Sequence, residues 1–384
     1  MSNLFPTYPR WSINPVKGSG VYLTDDSGKR YLDFTSGIGV LNLGHCHPGV
    51  SEAVKAQLDC LWHTSNLFPS GIQEETASHL AGLSGLRRVF FANSGAEANE
   101  AAIKLSRKAT GRSKVITFLQ SFHGRTFAAM AATGQEKVRT GYGDMLQTFH
   151  YAKYNDIQSV EEAADSDTAA IMLEVVQGEG GIHIADPQFL KRVEEICRET
   201  GALFVIDEIQ TGIGRTGKPF AFQHFDLNPD IITLAKGLGN GLPVGAMCGR
   251  EELAEAFGPG SHGSTFGGNP VCLASARAVL EEIGRADFLN DVEDKGRYLR
   301  KSLDDALKDC SVVKEIRNLG LMAGIELNEE AGPYLNALQN LGLLVLTAGT
   351  HVLRLLPPLT VSTSEIDEAA GLIAEVLAKK PQAV

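Results

Sequence analysis

The 384-residue chain has little that would place it among secreted, membrane-bound or nucleic-acid-binding proteins. Its six cysteines are scattered without a C-x-x-C pair, which argues against a disulfide framework and is typical of a reduced, cytoplasmic compartment. No uninterrupted apolar run approaches the roughly 20 residues of a membrane span, so we expect no membrane partner. Lys and Arg number 35 against 46 Asp and Glu, a formal net charge of −11, and no basic stripe occurs that would bind nucleic acid.

Short apolar runs alternate with helical segments through the middle of the chain. The runs are β-branched or aromatic and nearly continuous, as expected of strands buried on both faces. They cover residues 88–92, 114–118, 170–173, 202–206 and 230–234. The best-marked helix is predicted over 187–200, with Asp186 as its N-cap and Gly201 after its end. This alternation predicts an α/β fold with a doubly wound, parallel sheet, and the length favours two subdomains.

Reactive or polar residues follow all five runs, at the strand ends where such sheets bind ligands. The segments are 93–98, 122–125, 174–181, 207–208 and Lys236 with its following glycines. Lys236 is the unusual one, because a lysine that ends a buried run is costly to desolvate. Alone it could be a solvated strand end beside a turn. The convergence of five segments on one edge favours a chemical role.

These groups together fit pyridoxal 5′-phosphate. An uncharged Lys236 amine condenses with a carbonyl, and Asp207 could keep a ring nitrogen protonated. The segment Ser94-Gly95-Ala96 opens a helix whose free N–H groups and dipole suit a phosphate. Phe122 could cover a flat ring. Ser94 and Glu97 also satisfy the spacing of a capping box, which needs no function.

Seven segments carry a family resemblance that extends over nearly the whole chain. They are "FFANSGAEANEAAIKLSRK", "SFHGRT", "VVQGEGG", "VIDEIQTGIGRTGK", "TLAKGLGNGLPVGA", "HGSTFGGNP" and "VLRLLPPL". The chain resembles the class III, fold type I pyridoxal-phosphate aminotransferases, and within them most closely the acetylornithine aminotransferases. The resemblance implies a large, mostly parallel seven-stranded sheet domain over 57–276. A smaller α+β domain would combine the N-terminal segment 1–56 with residues 277–384.

The resemblance also implies cofactor-binding roles, residue by residue. Lys236 would be the Schiff-base lysine and proton carrier, and Asp207 the partner of the pyridine nitrogen. The other implied cofactor-binding residues are Ser94, Gly95, Ala96, Phe122, Glu208, Gln210 and Thr265. Thr265 would reach the phosphate of the neighbouring subunit, so a homodimer with shared active sites is expected.

Substrate roles follow from the same resemblance. Arg125 and Ser264 would bind the distal carboxyl and acetylamino end, Arg354 the α-carboxylate of 2-oxoglutarate or glutamate, and Glu179 would mask Arg354 when the amine has no adjacent carboxylate. The expected reaction moves the side-chain amine of N2-acetyl-L-ornithine to 2-oxoglutarate, a step of arginine biosynthesis. Ile38 stands where ornithine aminotransferases of this class carry a tyrosine, which favours the acetylated substrate over free ornithine.

Several alternatives stay open on the sequence alone. Arg354 could be a surface arginine and Glu179 a solvated loop carboxylate. Residues 212–218 satisfy P-loop spacing, but Pro219 stands where a magnesium-binding Ser or Thr belongs. The run 45–47, His-Cys-His, is better explained by a turn before a helix than by a metal site, and no metal is expected. The alternative functions are a class III aminotransferase for ornithine, 4-aminobutyrate or succinyl-diaminopimelate, and an aminomutase. A dinucleotide-binding dehydrogenase is a third alternative, but this chain lacks the G-x-G-x-x-G motif that such an enzyme would carry after the first predicted strand.

Overall fold

A computed structural model describes residues 2–379 of the chain. The α-helices are α1 (Ser36–Gly39), α2 (Pro48–Leu58), α3 (Gly71–Ser84), α4 (Gly95–Thr110), α5 (Phe127–Ala132), α6 (Glu136–Arg139), α7 (Ile157–Ala163), α8 (Pro187–Thr200), α9 (Pro270–Ile283), α10 (Ala286–Leu307), α11 (Gly332–Leu341) and α12 (Thr363–Leu377). The strands are β1 (Pro15–Ser19), β2 (Tyr22–Asp25), β3 (Arg30–Asp33), β4 (Arg88–Ala92), β5 (Lys114–Phe118), β6 (Phe149–Ala152), β7 (Thr168–Leu173), β8 (Val176–Gln177), β9 (His183–Ile184), β10 (Leu203–Asp207), β11 (Ile231–Leu234), β12 (Gly245–Gly249), β13 (Val313–Leu319), β14 (Met322–Leu327), β15 (Leu343–Leu344), β16 (Leu346–Ala348) and β17 (Val352–Leu355).

A seven-stranded sheet forms the centre of the fold, in the order β4-β12-β11-β10-β7-β5-β6. Only β12 runs antiparallel to its neighbours, so the predicted mostly parallel sheet is confirmed. Its strands are buried on both faces: Ile206 and Ile232 belong to one hydrophobic cluster, Val205 and Ile231 to another. This is why the strands read as continuous apolar runs. The pattern of apolar residues in the sequence did not predict β12, a short strand that begins and ends with glycine.

Helix α8 shows how local sequence positions the elements around this sheet. Asp186 Oδ1 accepts hydrogen bonds from the N–H groups of Gln188 (2.8 Å) and Phe189 (3.2 Å), as predicted for an N-cap. Gly201 ends the helix with φ = +73°, a conformation that favours glycine. The helix then leads directly into β10, the strand that ends in Asp207.

A second hydrophobic core joins the N-terminal segment to the C-terminal part of the chain. Val21, Leu32 and Phe34 pack in one cluster with residues of α10, α11 and α12. The pairing of β3 with β15 connects the same segments through the backbone. The division into 1–56, 57–276 and 277–384 stays a prediction. The boundary at residue 276 lies inside α9, a helix whose buried face belongs to the core of the large sheet.

Arg215 lies in the P-loop-like segment 212–218 and is one of the largest fully buried side chains of the protein. Its guanidinium donates to the carbonyls of Leu321 (3.2 Å) and Pro357 and to Asn42 Oδ1 (2.8 Å), so it links the two cores. Across residues 2–379, no helix has both the length and the apolar content to cross a membrane.

Candidate active site

A cavity of about 450 Å³ opens at the carboxyl edge of the central sheet. Turns that follow β4, β5, β7, β10 and β11 supply most of its wall. The structure brings the following sequence-predicted residues to this cavity: Ser94, Gly95, Ala96, Phe122, Arg125, Glu179, Asp207, Gln210 and Lys236. Glu208, Ser264, Thr265 and Arg354 do not line it.

Asp207 is held at the cavity wall by three hydrogen bonds. Its Oδ2 accepts from Asn99 Nδ2 (2.8 Å) and lies 2.7 Å from His123 Nδ1, while its Oδ1 accepts from the N–H of Ile209 (3.0 Å). The side chains of Asp207, Asn99 and His123 are buried. Sequence reasoning assigned no role to Asn99 or His123. An asparagine inside helix α4, where its propensity is poor, was the available signal.

Lys236 begins a 3₁₀ turn directly after β11 and has a left-handed backbone, φ = +44°. Such a conformation costs a non-glycine residue roughly 1–2 kcal/mol, and strained residues of this kind cluster at active sites. Burial lowers the pKa of the Lys236 amine, and the Glu179 carboxylate opposes this shift. Among residues 2–379, the amine has no hydrogen-bond acceptor within reach. Its nitrogen is therefore directed into the cavity without a protein partner and is favoured as the reactive, uncharged base.

The N-terminus of α4 forms another part of the cavity wall. Ser94 caps the helix by accepting from the N–H of Glu97 (3.2 Å). The reciprocal bond of a capping box is absent, because Glu97 Oε2 accepts from Asn93 instead (2.8 Å). A Cβ at Gly95 would lie 2.7 Å from Ile209 Cδ1, so a larger residue would fit there only if the Ile209 side chain moved. The first N–H groups of α4 thus stay available to an anion in the cavity.

Arg354 lies just behind the cavity, paired with Glu179. Its Nη1 contacts Glu179 Oε1 at 2.5 Å and also donates to Gln210 Oε1 (3.1 Å) and Gly178 O (2.9 Å). The Arg354 side chain is 2% exposed and the Glu179 side chain 30% exposed. Burial raises the pKa of the Glu179 carboxyl, but the charge of Arg354 and its hydrogen bond outweigh this and leave the pKa below its ordinary value. The surface-arginine interpretation of Arg354 is therefore wrong, and the implied pairing with Glu179 is present.

Three of the predicted residues lie elsewhere. Glu208 directs its carboxylate away from the cavity to Thr211 Oγ1 (2.5 Å) and the N–H of Phe222 (2.8 Å), because successive strand residues point to opposite faces. Burial raises the pKa of Glu208 to about 7. Ser264 Oγ accepts from Asn93 Nδ2 (3.1 Å), which places it beside the α4 turn. Thr265 is exposed at the surface.

Sequence reasoning also assigned no role to Glu174, which follows the wholly buried strand β7. It is 6% exposed, lines the cavity and accepts from the N–H of Phe122 through Oε2 (3.3 Å). Burial, followed by the charge of Asp207, raises its pKa well above its ordinary value. The available signal was a carboxylate placed directly after six buried residues. In its protonated form this side chain adds a hydrogen-bond donor to the cavity.

The residues present fit pyridoxal 5′-phosphate. The α4 N-terminus offers N–H donors beside the small Gly95, Asp207 is a buried and oriented carboxylate, and the Lys236 amine has no acceptor among residues 2–379. When bound, the cofactor supplies an aldehyde that condenses with amines and a ring that accepts electrons. Lys236, Asp207 and Phe122 would hold its reactive part, and Ser94 to Ala96 its phosphate.

The His-Cys-His run at residues 45–47 forms contacts that do not involve a metal. His45 Nε2 lies 2.8 Å from Asp33 Oδ2, and helix α2 begins at Pro48, as the sequence predicted. Within the part of the chain that the structure describes, no group of three or more His, Cys, Asp or Glu side chains is placed to hold a metal ion.

Fold and cavity together define a pyridoxal-phosphate-dependent transferase, and comparison with known proteins gives the family. The class III aminotransferase family model matches residues 6–377, and the chain belongs to this family. It is similar to the acetylornithine aminotransferase of Bacillus subtilis (strain 168), with 57% identity covering 98% of each chain. The N-acetylornithine aminotransferase structure from Stenotrophomonas maltophilia K279a is 38% identical, with a TM-score of 0.85, and 97% of this chain and 96% of that one are covered.

An ornithine aminotransferase structure from Toxoplasma gondii is also similar. It is 32% identical, with a TM-score of 0.93, and the match covers 98% of this chain and 92% of that one. That structure has partial occupancy of pyridoxal phosphate at its active site.

Proposed function

We propose that the enzyme transfers the side-chain amine of N2-acetyl-L-ornithine to 2-oxoglutarate, giving N-acetyl-L-glutamate 5-semialdehyde and L-glutamate in arginine biosynthesis. The observation that carries this proposal is the buried Arg354 covered by Glu179 beside the Lys236 cavity. A side-chain amine has no adjacent carboxylate for Arg354, whereas glutamate has one. An arginine that can be masked and unmasked suits both substrates in turn. Relatives at 51–57% identity that carry the name acetylornithine aminotransferase support the same substrate.

Each catalytic side chain has a task that its surroundings favour. Burial lowers the pKa of Lys236. In the first half-reaction its amine would accept the proton from the substrate carbon that bears the amine. In the second half-reaction it would donate a proton to the carbon of the keto acid that gains the amine. Asp207 would hold a proton on the ring nitrogen of the bound cofactor, and His123 and Asn99 keep that carboxylate oriented. Arg125, exposed at the cavity mouth with its guanidinium 5.7 Å from the centre of the Phe122 ring, binds the distal carboxylate.

Preference for the acetylated substrate is assigned to the turn that carries Ile38. Ile38 has φ = +68° between Gly37 (φ = +64°) and Gly39 (φ = +69°), and its side chain is 45% exposed. A left-handed backbone is unusual for a β-branched residue. An isoleucine offers no hydrogen bond to a charged α-ammonium, so the neutral acetylated nitrogen is favoured there. Val40, two residues on, lines the cavity.

A panel of amines assayed with 2-oxoglutarate tests the reaction. The panel contains N-acetylornithine, ornithine, 4-aminobutyrate and N-succinyl-diaminopimelate, ranked by kcat/KM. We expect N-acetylornithine to rank first and turnover to require the keto acid. A higher rank for ornithine or 4-aminobutyrate would reject the substrate and keep the aminotransferase class, whereas turnover without a keto acid would indicate an aminomutase.

We also infer a cytoplasmic homodimer in which Thr265 of one subunit completes the active site of the other. Thr265 is exposed outside the cavity of its own chain. Beside it lie Phe266, 60% exposed, and His63, whose rings are 5.2 Å apart. Asn66 Nδ2 donates to Ser264 O (3.0 Å) and so links the two loops. The following apolar side chains of this surface are exposed: Leu61, Trp62, Leu67, Phe68 and Phe266. Several exposed large apolar side chains on neighbouring loops are typical of an interface.

Mixed subunits test the shared site. Lys236→Ala and Thr265→Ala each inactivate a different part of it, so mixing the two inactive homodimers should restore activity at one site of each hybrid. The expected gain, up to about a quarter of parent activity, follows from random pairing of the two subunits in a dimer. Lack of any recovery, with hybrids verified by mass, would contradict the shared site.

A further inference from the structure

Glu179 lies between two cavities. It lines the active-site cavity and also a second cavity of about 330 Å³, whose wall includes Gly180 and His183. In the structure, Glu179 Oε1 contacts Arg354 and lies 3.4 Å from Gln210 Nε2. Its other carboxylate oxygen, Oε2, accepts no hydrogen bond from any residue in the described range 2–379. The carboxylate is thus bound through one oxygen only.

Arg354 likewise contacts Glu179 through one nitrogen only. All the hydrogen bonds of the Arg354 guanidinium run through Nη1, and its buried Nε has no partner among the described residues. An arginine fork binds a carboxylate most strongly through two nitrogens. The α-carboxylate of a substrate can therefore offer Arg354 a better contact than Glu179 does. A displaced Glu179 carboxylate loses its ion pair, and because its side chain is only 30% exposed, a new cationic partner would stabilise it.

Among the described residues 2–379 that line the second cavity, Lys137 is the lysine available to receive this carboxylate. Glu326, the other carboxylate on its wall, is already neutralised by Arg317 Nη1 (2.5 Å) and Lys314 Nζ (2.6 Å). Burial, followed by the charge of Arg317, lowers the pKa of His183, which disfavours the charged form of that ring. Lys137 has no hydrogen bond or ion pair to any described residue, and its side chain is exposed.

We propose that the second cavity receives the Glu179 carboxylate when a substrate carboxylate binds Arg354, and that Lys137 pairs with it there. Lys137 is then a positioning residue, which acts on substrate binding through Glu179. This inference rests on the proposed alternation between substrates with and without an adjacent carboxylate. It goes further by naming where Glu179 moves and which side chain stabilises the moved state.

Glutarate, a five-carbon dicarboxylate without an amine or keto group, is the probe. Its binding to the cofactor-loaded enzyme is measured by calorimetry for the parent, Lys137→Gln, Lys137→Arg and the matched control Lys153→Gln. Lys153 is 72% exposed and lines neither cavity. We expect Lys137→Gln to weaken glutarate binding roughly two- to fivefold, as for a partly exposed ion pair. Lys137→Arg and Lys153→Gln should match the parent.

The same comparison in a Glu179→Gln background separates this proposal from the proposed function. Without the Glu179 charge, Lys137→Gln should no longer change glutarate binding. Equal affinity of the parent and Lys137→Gln enzymes, or an equal loss in both backgrounds, would overturn the role of Lys137. Glu179→Gln itself should tighten glutarate binding, and failure to do so would instead reject the masking of Arg354. A crystal structure with glutarate should show Glu179 in the second cavity.

Discussion

His123 Nδ1 lies 2.7 Å from Asp207 Oδ2, with both side chains buried at the wall of the active-site cavity. The two residues are 84 positions apart in the chain. His123 lies in the turn after β5, and Asp207 is the last residue of β10. Asn99 donates to the same oxygen, so Asp207 cannot rotate away from the cavity without breaking several contacts.

Replacement of Asp207 by Asn tests this arrangement. The amide is close to the carboxylate in size but has no negative charge to hold a proton on a ring nitrogen. We expect the variant to fold and bind pyridoxal phosphate, with kcat reduced by roughly 10²–10³-fold, as when an oriented electrostatic group is lost. Absorbance of the bound cofactor and steady-state rates measure the two properties. Activity equal to the parent would contradict the assigned role.

Lys236→Ala should abolish covalent attachment of the cofactor and leave the fold intact. The amine has no hydrogen-bond acceptor among residues 2–379, so its removal breaks no contact of that kind. Loss of a positioned general base lowers the rate by roughly 10²–10⁴-fold. Borohydride reduction followed by mass measurement reports the covalent bond, and circular dichroism reports the fold. An undiminished rate with acetylornithine would show that Lys236 is not the base.

Arg354 and Arg125 should differ by half-reaction. Arg354→Ala should impair amine transfer from glutamate by roughly 10- to 100-fold, since a hydrogen-bonded charge contact contributes about 1.5–3 kcal/mol. Its effect on acetylornithine should be smaller, because that substrate leaves Arg354 paired with Glu179. Arg125→Ala should impair both halves. Single-turnover spectra of each half-reaction measure the losses, and equal losses for Arg354→Ala would reject the division of roles.

Ile38→Tyr should shift the preference towards free ornithine. A hydroxyl can satisfy the charged head group, for which an unpaired polar group costs about 1–3 kcal/mol. Tyrosine is not β-branched, so the left-handed backbone of residue 38, φ = +68°, tolerates it no worse than isoleucine. The ratio of kcat/KM for the two amines is the measurement, with Ile38→Leu as the control. An unchanged ratio would assign specificity to other residues.

Glu208 should make folding stability depend on pH. Burial raises its pKa from 4.5 to about 7 in the folded protein. The folded state therefore binds the proton more tightly, and this contribution is complete below pH 4.5 and lost as the pH rises through 7. Glu208→Gln removes the dependence. The free energy of unfolding of the variant minus that of the parent should increase by about 2–3 kcal/mol between pH 4.5 and 8. Denaturant titrations across this range check it, and a constant difference would contradict the prediction.

The sequence predicts those features of the fold that depend on interactions between neighbouring residues. The limits of α8, β4 and β5 depend on caps and on short apolar runs, which are properties of neighbouring residues. The approach of Lys236 and Asp207 to one cavity was predictable too, because the carboxyl ends of parallel strands share an edge. The family resemblance added residues such as Gln210 and Glu179, which the bare pattern did not single out.

Tertiary structure alone decided which groups surround those residues. Asn99 and His123 meet Asp207 only because α4 and the turn after β5 pack beside the end of β10. Glu208 turns to Thr211 rather than to the cavity, since the strand alternation that directs Asp207 inward directs its neighbour away. The contact between Glu179 and Arg354 spans 175 positions and requires the second core to dock on the first. Such contacts depend on long-range packing, for which a local pattern carries no signal.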